Sequence, residues 1–367
     1  MHKNNEEEYN TGILPDTRPA SEKEKDWEYS EIASGDQVIL RPIESFEEFS
    51  IQNQVNSSSC VWQAIAKAHE VKRFRFRGEK INHSAGGYSL RSNKPGEGSI
   101  VPEALQQAVT HGVPFEEDIP SEGMSESSMN QIKYLDLMKN IPERRKTFTN
   151  GYIPYMPLKF DAALKEVASG NVVLLLVRCN ILEWNQGAPQ VYGGVENVSH
   201  EVAGVQAGLF TGELRGNKGE KLQYSNEPVL IIHDSWGNLG YKSKGIRIIT
   251  KKFFEAKVDV MSMFVGFTYN EGSAVKPTIP TLTTTYGQTG ANVKRLQECL
   301  KYLGYFPLDI DLNISSNNRF GNVTRTHLKR FQLAHKDLFI SLGAKLVDLN
   351  GMSAGPVTRK VLGQLIK

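Results

Sequence analysis

Between residues 57 and 70 apolar side chains fall at Val61, Ala64, Ile65 and Ala68. That spacing of i, i+3, i+4 and i+7 predicts one buried helix face, and the serines ahead of it are able to cap it. A second helix is expected over 102–111, ended by Gly112. The polar stretch 125–147 reads as helical in part, and 159–168 as a helix stopped by Ser169 and Gly170. Residues 83–99 are rich in Gly and Ser and read as loop. From residue 172 the pattern changes. The unbroken apolar run 172–178 suits a strand buried on both faces. Further strands are expected at 200–206, 229–233, 245–250 and 261–268, with a short early one at 38–40. Helices first and strands later predict an α+β domain of two lobes, a helical lobe and an antiparallel β lobe. Beyond it, Val293, Leu296, Leu300 and Leu303 mark one helix, Val323, Leu328 and Phe331 a second, and Val361, Leu362 and Leu365 a third.

The length of 367 residues allows two domains, one of them small. The chain divides into an acidic arm (1–32), a main domain (33–270), a Pro/Thr linker (271–285) and the helical module (286–367). The overall charge of +2 conceals an uneven distribution. The arm carries 4 Lys/Arg against 9 Asp/Glu, net −5, and the module 12 against 5, net +7. A basic module favours an anionic surface such as cell wall or nucleic acid, although ordinary surface charge accounts for it equally well. Cysteines at 60, 179 and 299 form no disulfide framework and suit a reducing compartment; Cys179 and Cys299 read as structural. The N-terminus lacks an apolar signal core, and no stretch approaches a spanning helix. The expectation is a soluble protein made in a cytoplasm and exported, if at all, by another route.

Cys60 begins the first helix pattern, with Gln54 six residues ahead; His200 lies 140 residues downstream, and Asp234-Ser235-Trp236-Gly237 follows. A thiol at a helix N-terminus, beside an imidazole, would have its thiolate favoured. An imidazole base needs a third group to fix its tautomer. His69, His83, His111, His327 and His335 show no metal-type spacing, so neither a metal nor a cofactor is expected. His233, beside Asp234, competes with His200 as the base, but it ends a strand and is the less favoured.

In motifs rather than continuous identity, residues 13–270 resemble the papain-like cysteine peptidases. The resemblance implies Cys60 as nucleophile, His200 as base, Asp234 as its orienter and Gln54 as an oxyanion donor. It also implies that Gly98 and Ser99 pair with an extended substrate and that Trp236 shields the orienting residue. Departures are Val61 where the family has Trp, Asp234 for the customary Asn, and a 34-residue interval from His200 to Asp234, which predicts an inserted hairpin over 208–227. The family's long propeptide is absent, although the acidic arm could still cover the cleft.

Residues 286–367 resemble the three-helix peptidoglycan-binding domain of cell-wall hydrolases. The carriers are Val293, Leu296, Gln297, Leu300, Leu303-Gly304-Tyr305, Phe320-Gly321, Phe331-Gln332, Asn350-Gly351 and Gly355-Pro356-Val357-Thr358. The interval between Leu308 and Asn318 is longer than that fold needs. Together the two resemblances imply an endopeptidase acting on protein or peptide at the bacterial wall, with no nucleic-acid or membrane partner. That architecture would suit a bacteriophage lysin or virion-associated enzyme. The alternatives are a catalytically silent wall-attachment or virion protein and an assembly maturation peptidase.

Overall fold

The computed structural model describes residues 13–23, 40–93, 96–184, 187–216, 218–237, 244–267, 276–306 and 318–366. The arm and the linker therefore lie partly outside the described residues, as do residues 38 and 39 of the early strand and most of the interval 308–318.

The first half contains β1 (Ile13–Leu14), α1 (Ala20–Lys23), α2 (Cys60–Arg77), β2 (Ser99–Ile100), α3 (Val101–His111), β3 (Val113–Pro114), α4 (Glu126–Asn130), α5 (Tyr134–Met138), β4 (Lys146–Thr147) and β5 (Gly151–Ile153). Then come α6 (Phe160–Ala168), β6 (Val173–Cys179), α7 (Ile181–Trp184), β7 (Val198–Arg215), β8 (Lys221–His233), β9 (Ile246–Thr250), α8 (Lys251–Lys257) and β10 (Val258–Val265). The last part holds β11 (Thr284–Thr285), α9 (Ala291–Tyr302), α10 (Asn322–Ala334), α11 (Lys336–Ser341), β12 (Ser353–Ala354) and α12 (Pro356–Leu365).

A six-stranded antiparallel sheet in the order β5-β10-β6-β7-β8-β9 forms one lobe, and α2 to α5 form the other. Successive strand residues face opposite sides, and β6 needs apolar groups on both. Leu174 joins the cluster under α2 with Val61, Ile65, Ala203, Val205 and Phe264. Val173 and Leu175 join a second cluster on the far face with Val202, Ile232 and Phe253. This two-faced burial accounts for the unbroken apolar run. The expected insertion is the outer part of the β7–β8 hairpin, whose Phe210, Leu214 and Tyr224 pack with Val229, Ile231, Ile246 and Ile248 in a small apolar cluster.

Helix α2 runs to Arg77 and ends at Gly78 in the left-handed region. Its first turn differs from expectation, because Ser59 makes no side-chain cap bond. The Ser59 hydroxyl is instead 2.7 Å from that of Ser57. The segment 40–54 lies along the sheet and locks onto this helix. Ile43 N–H donates to Leu209 O at 2.9 Å, and Ser50 donates through N–H and hydroxyl to Glu70, which also pairs with buried Lys67. Gln54 N–H then donates to Ser235 O at 2.8 Å. The strap thereby ties the start of α2 to the turn after β8.

The helical module has a fourth, short helix, α11, between the second and third that periodicity predicts. Residues 276–285 are packed against it. Ile279 meets the apolar cluster, Cys299 Sγ lies 3.8 Å from Thr278 O, and Thr284 pairs with Ala354. The module shares its apolar cluster with the far face of the sheet. Gly304, at φ +75°, admits the Phe267 carbonyl where a Cβ would collide with it. Arg330 pairs with fully buried Glu166 at 2.5 Å, and Asn150 donates to the Tyr305 hydroxyl. Replacing Arg330 by Ala should cost about 3–5 kcal/mol in urea unfolding, because the buried Glu166 carboxylate would lose the guanidinium paired with it. The Glu166→Gln, Arg330→Met double variant should recover part of that loss.

Candidate active site

Three segments distant in sequence converge where the two lobes meet. Cys60 is the first residue of α2 and only 1% exposed. Its sulfur faces the backbone N–H groups of Glu201 and Val61. Burial, with Glu201 and Asp234 adding to it, pushes the thiol pKa up to about 12. The expected lowering by the helix terminus is thus outweighed by desolvation in this closed arrangement. Cys179 and Cys299 are also buried, with thiols pushed up to about 12 chiefly by burial.

His200 stands near the start of β7, 2% exposed, with Nε2 2.6 Å from Asp234 Oδ1. No hydrogen bond engages its Nδ1 among the described residues. Trp236 lies over the imidazole at 4.8 Å between ring centroids, and Trp184 meets it edge-on at 6.2 Å. Asp234 follows β8, and the backbone N–H of Ser235 donates to its Oδ1 at 2.6 Å. Its Oδ2 accepts from Trp184 Nε1 at 3.0 Å and from Arg247 Nε at 2.6 Å. Burial alone would raise this carboxyl's pKa, but Arg247 and His200 hold it well below the usual carboxylate range. Asp234 is therefore an ionised, fully partnered acceptor that fixes the imidazole.

Gln54 is buried beside the same turn. Its Nε2 donates to Ser57 O at 3.0 Å, and its Oε1 accepts from the Ser235 hydroxyl at 2.6 Å. One of its amide hydrogens has no partner among the described residues. Asn53 forms a bridge with Trp236, which sets the indole over His200. Gly98 has φ +78° and its carbonyl accepts from Asn93 Nδ2 at 2.9 Å. Ser99, expected with Gly98 to pair with substrate, is instead paired with Ile13 in parallel register, and Ile100 with Leu14. His233 is placed apart, its Nε2 2.9 Å from Glu47 O and its ring against Phe49. Burial lowers its pKa to about 3, so it is a neutral core histidine.

Three residues of this site escape sequence reasoning. Trp184 carries no motif. Arg247 leaves a signal, a lone charge inside the apolar strand Ile246-Arg247-Ile248-Ile249, which implies a buried partner. Glu201 interrupts an apolar alternation in the same way. Among the described residues no cluster of three or more His, Cys, Asp or Glu could hold a metal, and no helix is long and apolar enough to cross a membrane.

Comparison with known proteins gives two kinds of match. Residues 289–336 match the family model described as "Putative peptidoglycan binding domain". Among solved structures, xylellain, a cysteine protease from Xylella fastidiosa, aligns at 15% identity and TM-score 0.49, covering 70% of this chain and 96% of that one. The clostridial cysteine protease Cwp84 aligns at 12% identity and TM-score 0.49, covering 65% and 61%. The proform of the ragweed pollen cysteine protease Amb a 11 aligns at 17% identity and TM-score 0.41, covering 59% of this chain and 61% of its own. No curated protein matches.

Proposed function

We propose that this chain is a cysteine endopeptidase directed to the bacterial cell wall by its helical module. The observation that carries the reading is the buried His200–Asp234 pair, 2.6 Å apart, next in sequence to Glu201, whose backbone N–H faces the Cys60 sulfur at a helix N-terminus. His200 Nδ1 takes the Cys60 proton as sulfur attacks the peptide carbonyl. The oxyanion is held by the Cys60 backbone N–H and the free amide hydrogen of Gln54. His200 then protonates the leaving amine, and a thioester remains on Cys60. Water, deprotonated by His200, releases the acyl product. Asp234 keeps the imidazole in one tautomer throughout, and Arg247 and Trp184 keep Asp234 in place. The match over residues 289–336 supports wall targeting, with peptide stems or wall-associated protein as substrate. A bacteriophage lysin or virion-associated enzyme is the setting that suits this architecture best.

The test is hydrolysis of two substrates side by side, purified peptidoglycan and a denatured protein. Release of new amino termini from peptidoglycan marks a lytic enzyme, whereas cleavage of protein alone marks a wall-targeted or maturation peptidase. Cleavage of neither contradicts the reading.

The burial of Cys60 favours a second reading, a silent wall-attachment protein that keeps the fold. Segment β1 separates the two, because it lies on the Ser99–Ile100 edge and against β7, across the line where the lobes meet. Asp16 anchors it, accepting from Tyr155 and pairing with Arg18. If the arm excludes substrate, the competent state is a minor one and apparent activity is reduced by that fraction. Deleting residues 1–19 should then raise kcat/KM by about tenfold or more, an opening cost of about 1.4 kcal/mol. A rate unchanged by the deletion would show that β1 is only structural.

A further inference from the structure

Glu201 has no part in the mechanism above, yet its backbone N–H faces the Cys60 sulfur. It is 1% exposed, and neither carboxyl oxygen has a hydrogen-bond partner. Other buried acids of this chain are matched by cations: Asp234 by Arg247, Glu183 by Lys257, Glu166 by Arg330 and Glu70 by Lys67. Among the described residues Glu201 has no such match. An unpaired buried carboxyl is costly to keep, and burial raises its pKa well above the ordinary value.

Its position says what could pair with it. The backbone N–H of Glu201 faces the Cys60 sulfur, and its side chain lies close enough to disfavour the thiolate. Neighbouring strand residues point to opposite faces, so Glu201 projects from β7 away from His200. It shares the face of Ala203 and Val205, which pack under α2. The leaving amine receives its proton from His200 and so lies on the His200 side of the attacked carbonyl. The acyl portion of the substrate is left toward Glu201.

We propose that Glu201 is a specificity-determining residue that receives a cationic side chain, an ammonium or guanidinium, on the acyl side of the scissile bond. This rests on the reading of Cys60 as the acylated nucleophile. A cation there would supply the missing partner and turn an unfavourable buried acid into an ion pair in a low-dielectric site. A neutral isostere of the same length would leave the acid unpaired and be rejected.

The test compares two peptide pools that differ only in having lysine or norleucine on the acyl side, with full-length wild type, Glu201→Gln and Glu201→Lys. The expected result is a wild-type kcat/KM about tenfold or more in favour of lysine, a preference abolished in Glu201→Gln, and a shift to glutamate-containing peptides in Glu201→Lys. A wild type that does not prefer lysine, or a preference that survives Glu201→Gln, overturns the proposal. Alkylation of Cys60 by 2-bromoethylammonium and by iodoacetamide, followed by mass spectrometry, gives a readout that needs no turnover. The ratio of the two rates should fall about tenfold in Glu201→Gln. If that fall occurs while no peptide is cleaved, the cation site stands and the peptidase reading fails. If peptides are cleaved and the ratio does not change, the cation site fails and the peptidase reading stands.

Discussion

Replacing Cys60 by Ala should abolish hydrolysis, with kcat falling on the order of 10⁵-fold, while the protein stays folded. The substitution removes one buried sulfur at the start of α2 and keeps the Cβ, so the apolar cluster under the helix loses little. The proposed chemistry loses the atom that would form the thioester. His200→Ala should fall by a similar factor, and the double variant no further, because nucleophile and base act as a unit. The check is turnover of a denatured protein by matched preparations, with circular dichroism to confirm folding. A Cys60→Ala variant that retains measurable turnover would leave the triad without a function.

Arg247→Met should lower both stability and activity. Arg247 is fully buried, and its guanidinium donates to Asp234 Oδ2 and to the Trp184 carbonyl while lying 4.8 Å from the Trp184 ring. Removing it leaves the Asp234 carboxylate buried with only the Trp184 N–H, the Ser235 N–H and His200. Breaking a buried pair in this way costs about 3–5 kcal/mol, measurable as a fall in the urea midpoint. The pH dependence has a definite sign. The folded pKa of Asp234 is depressed, so its contribution to stability is fully present above the ordinary Asp value of about 3.9 and is lost as pH falls toward the folded pKa. With Arg247 gone the depression shrinks, and acid unfolding should begin at higher pH than in wild type. An unchanged acid transition would mean that another group holds Asp234 ionised. Activity should fall because a shifted Asp234 no longer fixes the imidazole.

The parts of this site legible in sequence are those whose chemistry is local. Cys60 announces itself by opening an apolar helix face, and Asp234 by the Ser-Trp-Gly that follows it. His200 was separable from His233 only by its interval from Cys60 and its place within a strand, and the structure puts the two in different surroundings. The two lobes followed from periodicity, since helical spacing gives way to continuous strand runs at residue 172. What stayed hidden depends on partners distant in sequence. Arg247 makes sense only once Asp234 and Trp184 are known to meet it, and the Ser59 hydroxyl makes no cap bond but lies 2.7 Å from that of Ser57. Packing of 276–285 against the module was hidden by its Pro and Thr content, which reads as linker until Thr284 is seen to pair with Ala354. Helix α11 was missed because its six residues are too few to display a helical period.

The central claim is covalent catalysis by Cys60, and the most direct measurement is the acyl-enzyme itself. Wild type mixed with an excess of a p-nitrophenyl ester of a short acyl-peptide and quenched on the millisecond scale should release a burst of nitrophenol equal to the enzyme present. Peptide mapping should place the acyl mass on Cys60, and Cys60→Ala should give no burst. A burst that persists in Cys60→Ala, or an acyl group that maps to Cys179, Cys299 or a serine, would contradict the account.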